Sequence, residues 1–200
     1  MRLVQGEGNL PLMKIRKARA AALEAADSGS SLQAFEKYFE EHWASIYRLL
    51  ARMLGDPAEA EDLALEAFLR LYQRHPEAGT ESNLGGWLYR VATNLGLHSI
   101  RGLKRRERYE LSAGKGILEE APEDRPAEIL AREEERHMAR RVLAEMNSRQ
   151  SELLVMRYSG MAYKDIAAAL NLAPASIGPL LVRAEREFEK RYRALVQEEL

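Results

Sequence analysis

Apolar residues recur along this chain at intervals of three and four, the spacing that places them on one face of an α-helix. No stretch shows the alternation of apolar and polar residues that is typical of a β-strand. Three helices are predicted between residue 32 and residue 101, with C-terminal ends near residues 52, 74 and 101. The helical pattern resumes near residue 126 and continues to the end of the chain. The pattern therefore predicts an all-α protein.

Two stretches interrupt this pattern. In GDPAEAED, Gly55 suits a helix C-cap, Asp56 an N-cap and Pro57 the first helical position. The stretch LEEAPEDRPAE is acidic and contains two prolines, which is typical of a linker. We therefore expect two small helical domains joined by a flexible linker. The predicted boundaries are an N-terminal extension over residues 1–31, a first domain over 32–108, an acidic linker over 109–133 and a second domain over 134–200.

The second domain contains the pattern of a helix-turn-helix in MAYKDIAAALNLAPASIGPLLVRAE. Asn171 stands at the turn and can adopt the left-handed conformation that usually requires glycine. An ordinary helical hairpin is the alternative on this stretch alone. The inward face of the second helix is predicted to hold Ile177, Leu181, Ala184, Phe188 and Tyr192.

The outward face of that helix offers few side chains that could read bases. Its first turns hold Ser176 and then Gly178, Pro179 and Leu180. Pro179 lacks an N–H, which costs nothing if the helix starts at Ser176. Arg183 and Arg186 follow, and they could donate to guanine edges or to phosphates. The candidate nucleic-acid contacts of this domain are Ser176, Arg183 and Arg186.

The second predicted helix has two leucines among acidic side chains on the face opposite its core. Such a face indicates a partner surface, although scattered surface leucines are common. The residues assigned to partner binding are Asp62, Leu65, Glu66 and Leu69.

On the third helix a stripe of Arg90, Asn94, Leu97 and Arg101 leads into the basic segment RGLKRRER, residues 101–108. Basic and amide side chains beside aromatic residues suit a phosphate backbone and unstacked bases. The net charge of −1, from 30 basic and 31 acidic residues, does not by itself indicate a nucleic-acid binder. The candidate contacts of this helix are Arg90, Asn94, Arg101, Lys104, Arg105 and Arg106.

Other classes of function find little support in the sequence. There is no cysteine, and the four histidines are dispersed without metal-ligand spacing, so we expect no catalytic residue, metal or cofactor. We expect a cytoplasmic protein without membrane insertion, because no apolar run is long enough to span a bilayer and no signal peptide is recognisable.

Three motifs in order resemble a known family. GDPAEAEDLALEAFLRLY, WLYRVATNLGLHSIR and RQSELLVMRYSGMAYKDIAAAL are similar to segments of bacterial sigma factors of the extracytoplasmic-function (ECF) class. The resemblance covers residues 32–108, the family's region 2, and residues 134–194, its region 4. It implies binding to core RNA polymerase, promoter selection and DNA melting.

The resemblance also implies roles for the residues named above. The helix with Asp62 and Glu66 would dock on the clamp of the largest polymerase subunit. The loop 74–83 and the helix with Arg90 and Asn94 would capture a flipped base of promoter DNA, and region 4 would bind the upstream element. An anti-sigma factor is a further partner that the family commonly has.

The sequence departs from the family pattern at three places. Leu65 stands where glutamine is usual, His98 stands where aspartate is frequent, and Gly178, Pro179 and Leu180 replace a basic–Ser–Arg run. Upstream readout that is weaker or of another kind is therefore expected. A stand-alone helix-turn-helix regulator and a polymerase-binding decoy remain alternatives.

Overall fold

The computed structural model describes residues 29–74, 83–112 and 127–198. These ranges contain seven α-helices and no strand, which confirms the predicted all-α class. The N-terminal extension up to residue 28 and the loop residues 75–82 lie outside the described residues. The helices are α1 Gly29–Leu54, α2 Pro57–Arg74, α3 Leu84–Ser112, α4 Ala127–Glu145, α5 Ser148–Tyr158, α6 Tyr163–Leu170 and α7 Pro174–Glu198.

Helices α3 and α4 both extend into the predicted linker 109–133. Helix α3 continues through the basic segment as far as Ser112, because no helix-breaking residue occurs between Gly102 and Gly114. Helix α4 begins at Ala127, directly after Pro126. The part of the predicted linker between the two helices, residues 113–126, lies outside the described residues.

Helices α1, α2 and α3 enclose the first hydrophobic core. Phe39 of α1 meets Phe68 of α2 edge to face, with ring centroids 4.6 Å apart, and Trp43 stacks on Phe39 at 5.0 Å. Each fully buried side chain of this size stabilises the fold by about 1.5–3 kcal/mol. The apolar periodicity of the sequence is confirmed at positions that are fully buried in this core, namely Ile46, Leu50, Ala60, Ala64, Phe68, Leu71 and Leu88.

The boundary between α1 and α2 follows the expected chemistry. Gly55 adopts φ +79°, the left-handed conformation of a C-cap, and its N–H donates to the Ala51 carbonyl at 3.0 Å. The Asp56 carboxylate accepts the N–H groups of Ala58 and Glu59 at 2.8 and 3.2 Å. These bonds satisfy two of the donors that a helix leaves free at its N-terminus.

Helices α4 to α7 enclose the second core. The helix-turn-helix prediction is confirmed, because α6 and α7 meet at 93° across a short turn. Asn171 closes α6 with φ 54° and ψ 52°, and the Leu172 N–H donates to the Ala167 carbonyl at 2.8 Å. The predicted inward face of α7 is buried at Ile177, Leu181 and Ala184, and partly buried at Phe188 and Tyr192.

The two helical units pack against each other. Val155 of α5 is 8% exposed and belongs to the first core, and Leu143 of α4 contacts both cores. Two helical units were expected, but the contact between them was not.

We predict that the left-handed conformation at the turn of the helix-turn-helix tolerates glycine better than alanine. In Asn171→Ala, alanine must adopt the left-handed conformation without the local hydrogen bonds that an asparagine side chain can form. We expect the free energy of unfolding to fall by about 1–2 kcal/mol. Asn171→Gly should stay within about 0.5 kcal/mol of the parent. Urea unfolding measures the free energy of unfolding of both variants. Equal stability of the two variants would contradict the assigned turn.

Candidate interaction surfaces

The outward face of α2 carries the predicted partner residues as a single stripe. Asp62, Leu65, Glu66 and Leu69 follow the i, i+3, i+4, i+7 spacing of one helix face. Asp62 is exposed and Leu69 is 40% exposed. Glu66 accepts a hydrogen bond from the Arg70 Nε at 2.9 Å, within α2. We call these four residues the α2 stripe.

Helix α3 presents only part of its predicted stripe to solvent. Arg90 and Asn94 are exposed one turn apart. The prediction was wrong for Leu97, which is 1% exposed and belongs to the first core. Leu97 packs within the first core, and helices α4, α5 and α6 also contact α3.

Part of the basic segment RGLKRRER is exposed to solvent, and part of it contacts the second helical unit. Arg105 and Arg106 are exposed. The Arg101 Nε donates to the Ala144 carbonyl of α4 at 3.3 Å. Lys104 forms an ion pair with Glu145, the last residue of α4. The structure therefore places two of the four predicted DNA contacts of this segment against another helix.

Helix α7 begins two residues before Ser176. Its first residue is Pro174, and the Ser176 N–H donates to the Ala173 carbonyl at 2.9 Å. Pro174 is suited to the first helical position. Pro179 consequently lies inside the helix and cannot donate to the Ala175 carbonyl.

The candidate contacts of α7 differ in accessibility. Ser176 is half-buried, whereas Arg183 and Arg186 are exposed. The residues Gly178, Pro179 and Leu180 bring no hydrogen-bond donor to the outward face. The exposed donors of this helix therefore start with Arg183, in its third turn.

A polar cavity of about 630 Å³ opens beside the start of α3. Tyr38 and His42 of α1 line it with ring centroids 4.2 Å apart, together with Tyr89 of α3 and Asp165 of α6. Burial, reinforced by Glu41, raises the pKa of the Tyr38 hydroxyl well above its usual range. Burial lowers the pKa of His42, although the nearby Glu41 opposes this effect.

Tyr38 and His42 were not predicted as site residues, because Tyr38 fits the apolar face of α1. The available signal was a hydroxyl and an imidazole four residues apart on that face. Asn83, the last residue of the predicted base-capturing loop, also lines the cavity.

Within residues 29–74, 83–112 and 127–198, no group of three or more His, Asp or Glu side chains is placed to hold a metal ion. No single helix in those ranges is long and apolar enough to cross a bilayer. Helices α6 and α7 pass that test only as a pair, by length and composition, and they are bent by 93°.

Two family models match this chain in order. The model of sigma-70 region 2 matches residues 38–106, and the model of sigma-70 region 4 matches residues 136–188. Together the matches cover more than half of the chain. The chain therefore belongs to the sigma-70 family of RNA polymerase sigma factors, in its ECF class.

Individual relatives agree with this assignment. The chain is 41% identical over 80 residues to the ECF RNA polymerase sigma factor SigW of Bacillus subtilis. This match covers 40% of this chain and 42% of SigW. The chain is 27% identical over 179 residues to the ECF RNA polymerase sigma factor SigE of Mycolicibacterium smegmatis, covering 84% of this chain and 65% of SigE. Both matches thus span less than two thirds of the relative.

A solved structure shares the fold. CnrH, in complex with the cytosolic domain of CnrY, superposes with a TM-score of 0.51 at 16% identity, covering 85% of this chain and 96% of CnrH. At this identity the likeness concerns the fold alone.

Proposed function

We propose that this protein is a sigma factor that binds core RNA polymerase, directs it to particular promoters and helps to melt their DNA. The observation that carries the proposal is the ordered pair of sigma-70 regions on one chain, at residues 38–106 and 136–188. A stand-alone regulator needs only the helix-turn-helix, so it leaves the region 2 match and the α2 stripe unexplained. The proposed function assigns a role to both.

The α2 stripe is the proposed polymerase-binding surface. Leu69 is 40% exposed about one helical turn beyond Glu66, which provides an apolar anchor that binding would remove from water. The carboxylates of Asp62 and Glu66 favour a basic partner surface, here the clamp of the largest polymerase subunit. Leu65, where the family usually has glutamine, replaces a polar contact by an apolar one.

The start of α3 is the proposed site for melted promoter DNA. Arg90 and Asn94 are exposed and can contact phosphates and base edges. The cavity beside them is lined by the rings of Tyr38, His42 and Tyr89. Aromatic rings next to a basic helix face can hold an unstacked base, because stacking stabilises each base by about 1–3 kcal/mol. Arg105 and Arg106 continue the basic surface farther along α3, towards the phosphate backbone of the DNA.

Helix α7 is the proposed upstream-element contact. The donors Arg183 and Arg186 are exposed, and the preceding turns lack side-chain donors apart from half-buried Ser176. This arrangement favours phosphate and groove-shape contacts over extensive base readout.

We place this activity in the cytoplasm and assign the chain no catalysis of its own, since the polymerase supplies the chemistry. CnrH is bound by the cytosolic domain of CnrY. A comparable anti-sigma factor is a partner that we propose for this chain.

Charge reversal on the α2 stripe should abolish polymerase binding. The double change Asp62→Arg and Glu66→Arg places like charges at a basic surface, so we expect an affinity loss of about 100-fold or more. Fluorescence titration of labelled protein with core polymerase measures it. The matched control is Glu134→Arg with Glu135→Arg, an equal charge change at exposed positions of α4. Equal affinities of the two double variants would refute the assigned surface.

Arg183→Ala should weaken promoter binding, and the dependence of the loss on the upstream sequence distinguishes a base contact from a phosphate contact. If Arg183 reads a base, the polymerase complex loses about 1–3 kcal/mol on its own upstream sequence and less on a sequence altered there. Filter binding of the holoenzyme to the two promoters measures the difference. Arg193→Ala is the control, because Arg193 is exposed and pairs with Glu189 in the same helix. An equal loss on both promoters would show a phosphate contact only.

A further inference from the structure

The outward face of α7 begins with apolar residues. The inward face of this helix is fixed by its buried residues in the second core. On the opposite face three exposed residues follow one another at the spacing i, i+4 and i+7, namely Ala175, Pro179 and Val182. The side chain of Val182 is 46% exposed. We call these three residues the α7 apolar stripe.

The fold itself gives no reason for this stripe. Among the described residues of the second unit, none of the three packs in or against the second core. Pro179 lies inside the helix, where proline is the least favourable residue because it lacks the N–H of the helical hydrogen bond. An exposed proline that weakens its own helix, next to an exposed valine, indicates a surface that binds something outside the chain.

The same face becomes basic farther along the helix. Arg186 continues the line one turn after Val182, Arg183 lies beside it, and both guanidinium groups are exposed. The first acidic residue of α7 is Glu185, which accepts a hydrogen bond from the Tyr158 hydroxyl at 3.4 Å. The first turns of α7 therefore carry no negative charge. An apolar surface followed by guanidinium groups suits a polyanion that also presents apolar groups.

The major groove of duplex DNA presents this combination. The second helix of a helix-turn-helix lies in that groove, with the residues of its N-terminal turns at the base edges. Among the four bases, thymine alone presents a methyl group there, and small apolar side chains contact this methyl group in known complexes. The phosphates that border the groove are the partners of exposed arginines.

We propose that the α7 apolar stripe recognises the methyl groups of thymines in the upstream promoter element, while Arg183 and Arg186 bind phosphates or guanines beside them. The proposal rests on the proposed function, since it requires that α7 docks on promoter DNA. It adds the chemical group that this helix recognises there. The absence of a basic–Ser–Arg run then changes the kind of base readout and does not abolish it.

Uracil is the probe that isolates the methyl group. In duplex DNA it pairs as thymine does and keeps the same hydrogen-bonding groups, but it lacks the methyl group. The full-length chain would select duplexes from a pool with a random segment, and each selected sequence would be remade with uracil at one thymine position at a time. We expect thymines at fixed positions among the selected duplexes. Each replacement there should weaken binding about fourfold, equivalent to about 0.8 kcal/mol for one buried methyl group.

Val182→Ser tests whether the stripe makes the contact. This change removes both methyl groups of an exposed side chain and adds no charge. The variant should bind the thymine duplex about fourfold more weakly than the parent and lose its sensitivity to uracil at one of the fixed positions, so the two changes are not additive. Ile129→Ser is the matched control, because Ile129 of α4 is also 46% exposed and lies outside the helix-turn-helix. It should keep the full sensitivity to uracil.

Equal binding of thymine and uracil duplexes by the parent would overturn the proposal, and so would a selection that yields no fixed thymines. The apolar stripe would then have another occupant, such as a protein surface. Uracil sensitivity that is the same in Val182→Ser and Ile129→Ser at every position would overturn it too, because the effect would then come from the shape of the DNA.

This experiment separates the methyl contact from the proposed function. It uses duplex DNA and the full-length chain without polymerase, and uracil leaves the phosphates and guanines that Arg183 and Arg186 would contact unchanged. A failed methyl contact therefore leaves the sigma-factor function standing. Conversely, a chain that distinguishes thymine from uracil but starts no transcription with core polymerase would contradict the sigma-factor function alone.

Discussion

The need to satisfy carbonyl groups at helix C-termini organises this structure. Three helices end against an arginine from another helix: Leu54 of α1 meets Arg140, Ala144 of α4 meets Arg101, and the Leu170 carbonyl of α6 accepts the Arg149 Nη2 at 2.6 Å. Because water is displaced at these ends, an unsatisfied carbonyl would cost about 1–3 kcal/mol. The third of these bonds orders the helix-turn-helix, and the other two connect the units to each other.

Phosphates and helix C-termini are both negative, so one basic segment can offer side chains to either. Arg101 and Lys104 bind the end of α4, while Arg105 and Arg106 stay exposed next to them. A chain with a net charge of −1 thereby keeps a local basic surface. Under the proposed function, promoter binding depends on the complex with polymerase.

Local features of the structure could be predicted from the sequence because their causes are local. Gly55, Asp56 and Asn171 adopt the expected cap conformations, and apolar periodicity located both cores. The packing of the two units could not be predicted, since the bond from Arg101 to Ala144 joins residues 43 apart with no periodic pattern between them. That same contact explains why Arg101 is half-buried despite its basic surroundings. The surfaces assigned to polymerase and DNA remain predictions, supported by exposure on α2, α3 and α7.

Transcription from defined start sites tests the central claim most directly. Core RNA polymerase would be incubated with sheared genomic DNA, with and without this protein, and the start sites read by sequencing the transcripts. A sigma factor is expected to create new starts that share one sequence motif close to the start site. The absence of new starts, under conditions in which the protein binds core polymerase, would contradict the account.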